Sequence, residues 1–288
     1  MGENEKSKAE ILQEHLINRV NKAYSIYNKK LLWCKTEFSE ESVHDFRVAT
    51  RRLMSLIDLI DGVYPSVYGP ELSGTLKKRM KKFGPLRDTQ VQMISVGDLR
   101  WRFPEMTSYY HELIRREEKY IKKLRKIINK YEAGEFDGTI FFLKFDIKYK
   151  FNNADQAFES LFDSVRKAFQ KVRRRNEFVD PSEPETIHRV RIAFKKYRYM
   201  VEHLKRFIDI DDEGMATLKE FQTIMGEIQD NRVLTESLDE FIDSQHEIPE
   251  KAFKEIREKL LRQRTELIDE FMKSSEKIKH FHDLKFKY

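Results

Sequence analysis

Apolar residues recur three and four positions apart along most of this chain, the mark of helices with one buried face. The pattern is cleanest in two stretches. At roughly 100° per residue, Val43, Phe46, Leu53, Ile57 and Ile60 fall on one face, and Ile187, Val190, Phe194, Tyr197, Val201 and Leu204 fall on another. Both stretches therefore read as amphipathic helices with a core-facing seam.

The same periodicity and its interruptions predict eight helices. A first helix spans about Lys6 to Lys35 and is broken by KTEFSEES, in which Ser39 with Glu40 and Glu41 forms a helix start. The second runs to about Asp61, where Gly62 and Pro65 stop it. A third carries LKKRMKKF, meets Gly84-Pro85 with an expected kink or short break, and resumes in LRDTQVQMISV. Pro104 opens a charged fourth helix to about Tyr131, followed by a turn region from Gly134 to Gly138. The segment TIFFLKFDIKYKF, residues 139–151, is aromatic and β-prone; it is expected to be a connector in which strand competes with helix. A fifth helix covers about Ala154 to Arg175. Ser182 and Glu185 then form an S-x-x-E capping pattern before the sixth, Gly214 separates that from a seventh, and an eighth follows Pro249 towards His280.

Polar positions repeat along with the apolar ones. VHDFRVATRRL, from Val43 to Leu53, returns as IHRVRIAFKKY, from Ile187 to Tyr197. His44, Arg47, Arg51 and Arg52 thus correspond to His188, Arg191, Lys195 and Lys196, and Arg198 continues the second row by one turn. Each row lies beside the apolar seam rather than opposite it, which is where a built anion site would be. Downstream, LKKRMKKFGPLRDTQV aligns with LKEFQTIMGEIQDNRV, so Leu76, Lys77, Gly84, Asp88 and Val91 recur as Leu218, Lys219, Gly226, Asp230 and Val233. Two matched helix pairs imply duplication. The economical architecture is all-α: two pseudo-symmetric four-helix bundles, about 1–138 and 150–288, forming one domain with a basic central groove.

Composition agrees with that class. Charged residues make up 36% of the 288, with only 10 Gly and 7 Pro, which favours helices. The net charge of +6 comes from 55 basic against 49 acidic residues, so distribution matters more than the total. A single cysteine, Cys34, excludes an intrachain disulfide framework and fits a reducing compartment. With no apolar run of spanning length and no secretory h-region, the chain is expected to be soluble and cytoplasmic, without a membrane association.

HDFRVATRRL followed by FGPLRDTQV, with the second copy HRVRIAFKKY and MGEIQDNRV, resembles the CHAD family, the conserved histidine α-helical domain. The resemblance covers essentially the whole chain. It implies two four-helix halves around a basic cleft that binds inorganic polyphosphate, with no established catalysis by the domain. The E-x-E-x-K signature of the triphosphate-tunnel domain carried by some relatives is not found, so the chain resembles a stand-alone module. Polyphosphate-associated proteins are further expected partners, and polyphosphate granules an expected location. The second copy departs from the pattern at Lys195, Lys196 and Gln229, which stand where the first has Arg51, Arg52 and Arg87. The first half is thus expected to grip phosphate bidentately and the second through point charges.

A polyphosphate chain offers no base to stack on, so affinity must come from charge neutralisation, counterion release and charge-assisted hydrogen bonds. Rows at helical spacing rise about 5 Å per turn and can follow such a chain. The expected contacts are His44, Arg47, Arg51 and Arg52 with His188, Arg191, Lys195, Lys196 and Arg198. Lys77, Lys219 and Arg87 join them from matched or neighbouring positions, and Lys78 and Lys81 complete the set. Both histidines sit in the first turns of their helices, where imidazolium is disfavoured, so a bound polyanion would favour their protonation.

Four other readings compete. A basic row can be an ordinary solvated helix face. Glu41 with His44 and Glu185 with His188 give E-x-x-H twice, the ligand spacing of di-iron bundles, but the crowd of arginines and lysines repels a dication, so no metal or other cofactor is expected. Nucleic acid would bind nonspecifically, because Phe46, Phe194 and Tyr197 lie on the seam and only Tyr199 falls on the basic side. An enzyme would need a clustered acidic metal site or a nucleophile with a base, and neither is apparent.

Overall fold

The computed structural model describes residues 6–244, 251–276 and 284–287. Among these residues the chain is all-α, with ten α-helices, one short 3-10 turn at Lys205–Phe207 and no β-strand beyond a lone antiparallel bridge between Ile208 and Phe286. The helices are α1 (Lys8–Glu37), α2 (Glu40–Asp61), α3 (Tyr68–Lys82), α4 (Gly84–Leu99), α5 (Met106–Ile128), α6 (Asp137–Lys150), α7 (Ala154–Glu177), α8 (Pro184–Leu204), α9 (Asp212–Ser244) and α10 (Lys251–Ser275). Pro249 and the expected helix end near His280 lie outside the described residues.

Ten helices appear where periodicity predicts eight, for two physical reasons. At Gly84-Pro85 the proline lacks the N–H that would continue the helical ladder, and α3 and α4 part at Phe83. The matched stretch has Gly226-Glu227 instead, and α9 runs through it unbroken. Second, the segment 139–151 is helical. Its Ile140, Leu143, Ile147 and Phe151 share a buried face at helical spacing, while Phe141, Phe142, Phe145 and Tyr149 stay exposed. Burial of that stripe outweighs β-propensity, which depends strongly on context.

Local starts and stops are mixed. Ser39 caps α2, its hydroxyl accepting from the Ser42 N–H at 3.3 Å, as expected. The Ser182–Glu185 box does not form: the Ser182 hydroxyl donates to Asp180 Oδ1 at 2.6 Å, and α8 begins at Pro184, whose missing N–H needs no cap. Gly214 falls inside the first turn of α9 rather than before it.

α2 and α8 lie at the centre, packed on each other, with α1 on one flank and α7 on the other. Their seams are closed: Val43, Phe46, Leu53, Ile57, Ile187, Val190, Phe194, Tyr197, Val201 and Leu204 are buried in one core. Each such side chain contributes about 1.5–3 kcal/mol relative to exposure, and the sum sets the rotation of each helix about its axis. A second, smaller core joins α4 and α5 to α9 and α10 through Val96, Phe103, Tyr109, Leu234, Leu238, Phe241 and Phe253. Both halves contribute to both cores. Cys34 is buried, and desolvation pushes its thiol up to about 12.

Candidate anion-binding cleft

With the seams turned inward, the polar rows of α2 and α8 must face the space that α4 and α9 enclose. That space is a cleft of about 710 Å³. α2 brings His44, Arg47, Arg51 and Arg52 to it, and α8 brings His188, Arg191, Lys195, Arg198 and Tyr199. Arg87 and Asp88 line it from α4, as do Gln222, Gln229, Asp230 and Arg232 from α9. Eight arginine or lysine side chains thus meet two carboxylates.

The repeated glycines face the two inner arginines. A methyl at Gly84 would lie 3.9 Å from Arg47 Nη1, and one at Gly226 would lie 3.6 Å from Arg191 Nη2. Both distances are ordinary van der Waals contacts, so each glycine marks where a guanidinium approaches the facing helix. The two arginines differ in anchoring. Arg47 Nη1 donates to the Met80 carbonyl at 2.7 Å, at the C-terminal end of α3 that the proline break creates. α9 has no such end, and Arg191 Nε is buried without a hydrogen-bond partner. Arg51 Nε, Arg232 Nε and His188 Nδ1 are in the same condition. Buried donors of this kind normally find an acceptor.

Crowded like charge shifts the titrations. Burial, then Arg51, pulls the Arg47 guanidinium down to about 10. Burial lowers Arg191 too, with Asp230 opposing. Lys195 is pushed down to about 5 by burial and then by Arg191 and Arg51, so its amine is neutral at pH 7 in the free protein. His44 is lowered by burial, then Arg87 and Arg51; His188 is lowered by burial against the pull of Glu185. Asp88 and Asp230 keep contact with solvent, yet the surrounding walls desolvate them and raise both, against the attraction of Arg47 and Arg191 respectively.

Several expected contacts lie elsewhere. Lys196 is one residue past Lys195 and so about 100° around the helix; its Nζ reaches Asp58 Oδ2 at 2.6 Å, outside the cleft. Arg52, at the matched position, pairs through Nε with Glu202 Oε2 at 3.5 Å while still lining the cleft. These two ion pairs cross between α2 and α8 from opposite sides. Lys77, Lys78 and Lys81 are exposed on α3, beyond the break, and do not line the cleft. Lys219 is exposed one turn ahead of Gln222, the first residue of α9 to do so. Arg198 lines the cleft but is engaged by Glu202 and by Gln222 Oε1, the latter at 2.9 Å.

Arg232 is a cleft residue that the row pattern misses. It lies one turn beyond Gln229, the position at which the second copy lost its arginine, and it pairs with Glu185 Oε2 at 3.0 Å. Arg87 makes the corresponding ion pair with Glu40 at the start of α2. A signal was present: an arginine three residues after the lost one occupies nearly the same helix face. Because Glu185 is held by Arg232, one of the two E-x-x-H pairs is committed to a cation of the protein's own. Among the described residues no three His, Cys, Asp or Glu side chains are grouped to hold a metal ion.

A family model described as the CHAD domain matches residues 26–239. Among solved structures, the chain is similar to the CHAD domain from the plant Ricinus communis, at 17% identity over 96% of this chain and 94% of that one, with a TM-score of 0.65. It is also similar to PptA from Streptomyces chartreusis, at 9% identity over 93% of this chain and 99% of that one, with a TM-score of 0.61. No curated protein matches the sequence significantly.

Proposed function

Because the chain belongs to the CHAD domain family, we propose that it binds inorganic polyphosphate in the cleft between α2, α4, α8 and α9, as a non-catalytic targeting or scaffold module. The observation that carries this reading is the excess of seven arginines and one lysine over two carboxylates in one concavity, with three guanidinium Nε donors buried there without acceptors. A polymer of phosphates supplies acceptor oxygens and negative charge along its length and nothing else, which is what such a lining requires. Arg47, Arg51, Arg87, Arg191 and Arg232 would make the charge-assisted hydrogen bonds. His44, His188 and Lys195 would gain protons as the anion enters, and Arg52 and Arg198 would add field from positions already tied to Glu202. In the cytoplasm such a module would tether polyphosphate-associated proteins to polyphosphate or to its granules.

Nucleic acid is the competing polyanion. Tyr199 is the one aromatic lining the cleft and is 3% exposed, so it offers no stacking face. The deciding experiment titrates medium-chain polyphosphate and single-stranded RNA of matched charge at physiological salt, with wild type and with Arg47→Ala, Arg51→Ala. We expect tight polyphosphate binding, RNA weaker by at least an order of magnitude, and loss of about a hundredfold in polyphosphate affinity in the double variant, as two charge-assisted contacts imply. Equal affinity for the two polymers, or an unchanged double variant, overturns the proposal.

A further inference from the structure

Next to the basic cleft, and sharing Val91 and Asp230 with it, lies a crevice of about 610 Å³ between α4, α9 and α10 whose character is the reverse. Asp98, Glu227, Asp230 and Glu266 line it, and among the described residues none of these carboxylates is ion-paired. Its two cations are directed elsewhere. Arg262 Nη1 lies 3.9 Å from Glu258, and Lys259 Nζ sits 5.5 Å above the Phe103 ring. Like charge crowds here: burial raises the Glu227 carboxyl, and Glu270 and Asp230 raise it further.

A second observation points the same way. Asn231 lines the crevice at 7% exposure, and its Oδ1 is buried without a donor. Its Nδ2 donates to the Leu260 carbonyl at 3.0 Å, which settles which end of the amide is oxygen. The crevice thus offers an acceptor at its floor and carboxylates at its rim. Between them are hydrocarbon walls from Val91, Leu99, Leu234 and Leu260.

We propose that this crevice binds a linear aliphatic polyamine. Its ammonium groups would sit at Asp98, Glu227 and Glu266 and against Asn231 Oδ1, and its methylene runs would lie on the apolar walls. A point dication fits less well, because no three acidic or imidazole side chains among the described residues converge on one position. An extended cation instead spans carboxylates that are set apart and uses the apolar surface between them. Four carboxylates against two cations disfavour an anion.

The test is calorimetric titration of spermidine into the full chain, freed of polyphosphate, at near-neutral pH and physiological ionic strength. It is run on wild type, on Asp98→Asn with Glu227→Gln, and on Glu266→Gln from the opposite wall. Thermal melts of each check the fold. The expected result is saturable binding of one spermidine, weakened about tenfold by the double variant and measurably by Glu266→Gln, with magnesium at equal ionic strength a poor competitor. No saturable binding into the low millimolar range, unchanged affinity in both variants, or displacement by magnesium charge for charge would each overturn the proposal.

Discussion

The two walls of the cleft carry matched residues and hold their charge in different ways. On the first, Arg47 rests on the Met80 carbonyl and Arg87 on Glu40, so both forks are oriented before any ligand arrives. On the second, Arg191 has no equivalent carbonyl, because no proline breaks α9, and Lys195 stands where the first wall has Arg51. A guanidinium keeps its charge in such surroundings, whereas an ammonium gives up its proton. The first wall is therefore a standing array of charge, and the second completes its charge only when an anion is present.

The sharpest way to break this comparison is to exchange residues at the matched positions. Arg51→Ala removes a charge that is present in the free protein and should weaken polyphosphate binding by about 10- to 100-fold. Lys195→Ala should cost several-fold less at pH 8, because part of the lysine's contribution is used to recover its proton. The sign of the pH dependence follows. Lys195 in the free fold sits at about 5, and a bound polyanion raises it, so binding takes up a proton between that value and the value in the complex. Affinity then falls as pH rises, by at most about tenfold per pH unit for one proton. Lys195→Arg, charged throughout, should flatten the profile between pH 7 and 9. His44→Gln with His188→Gln should flatten the lower part of the profile, between pH 6 and 8, because both imidazoles are lowered in the free fold and gain protons as the anion enters. An unaltered slope in Lys195→Arg would mean that the two walls do not differ in this way. Stability gives an independent reading. At neutral pH the unfolded state binds a proton at Lys195 that the fold does not, so stability increases with pH through this range, and Lys195→Met should raise the melting temperature while weakening binding.

A second comparison concerns the outer ends of the walls, where Arg87 pairs with Glu40 and Arg232 with Glu185. If the arginine lost at Gln229 is replaced one turn later by Arg232, then Arg87→Gln and Arg232→Gln should weaken binding by similar factors, about three- to tenfold each. Parallel titrations of the two variants check this. An Arg232→Gln protein equal to wild type would leave the first wall alone at that end.

The sequence was most legible where burial and periodicity agree. The seams of α2 and α8 predicted both helices and, with them, the face on which His44, Arg47, Arg51, His188, Arg191 and Lys195 lie. Positions defined by single residues were less so. Lys196 shares a dipeptide with Lys195 yet points to Asp58, because it lies about 100° further round α8. Arg232 was hidden because the repeat was matched residue for residue, and helix geometry tolerates a shift of one turn that alignment does not. The aromatic segment 139–151 was ambiguous because its exposed rings mask the spacing of the buried stripe. The failure of the Ser182 cap reflects Pro184, which takes the first helical position of α8, makes Glu183 the N-cap and leaves Ser182 one residue outside it.

The smallest effect is expected from the lysines outside the cleft. Lys77, Lys78, Lys81 and Lys219 are exposed and act on a bound chain only through solvent, where the screening length is about 8 Å at physiological salt. Lys196 is tied to Asp58, an exposed pair worth at most about 1 kcal/mol to stability. Replacing the first four together by alanine should therefore change polyphosphate affinity by no more than about twofold at physiological salt, with a larger change as salt is lowered, because unscreened charge then acts at longer range. Lys196→Ala should leave affinity unchanged and lower the melting temperature slightly. A tenfold loss in the fourfold variant at physiological salt would mean that the bound polymer leaves the cleft along α3 and α9. The contrast between the walls would then describe only the middle of a longer track.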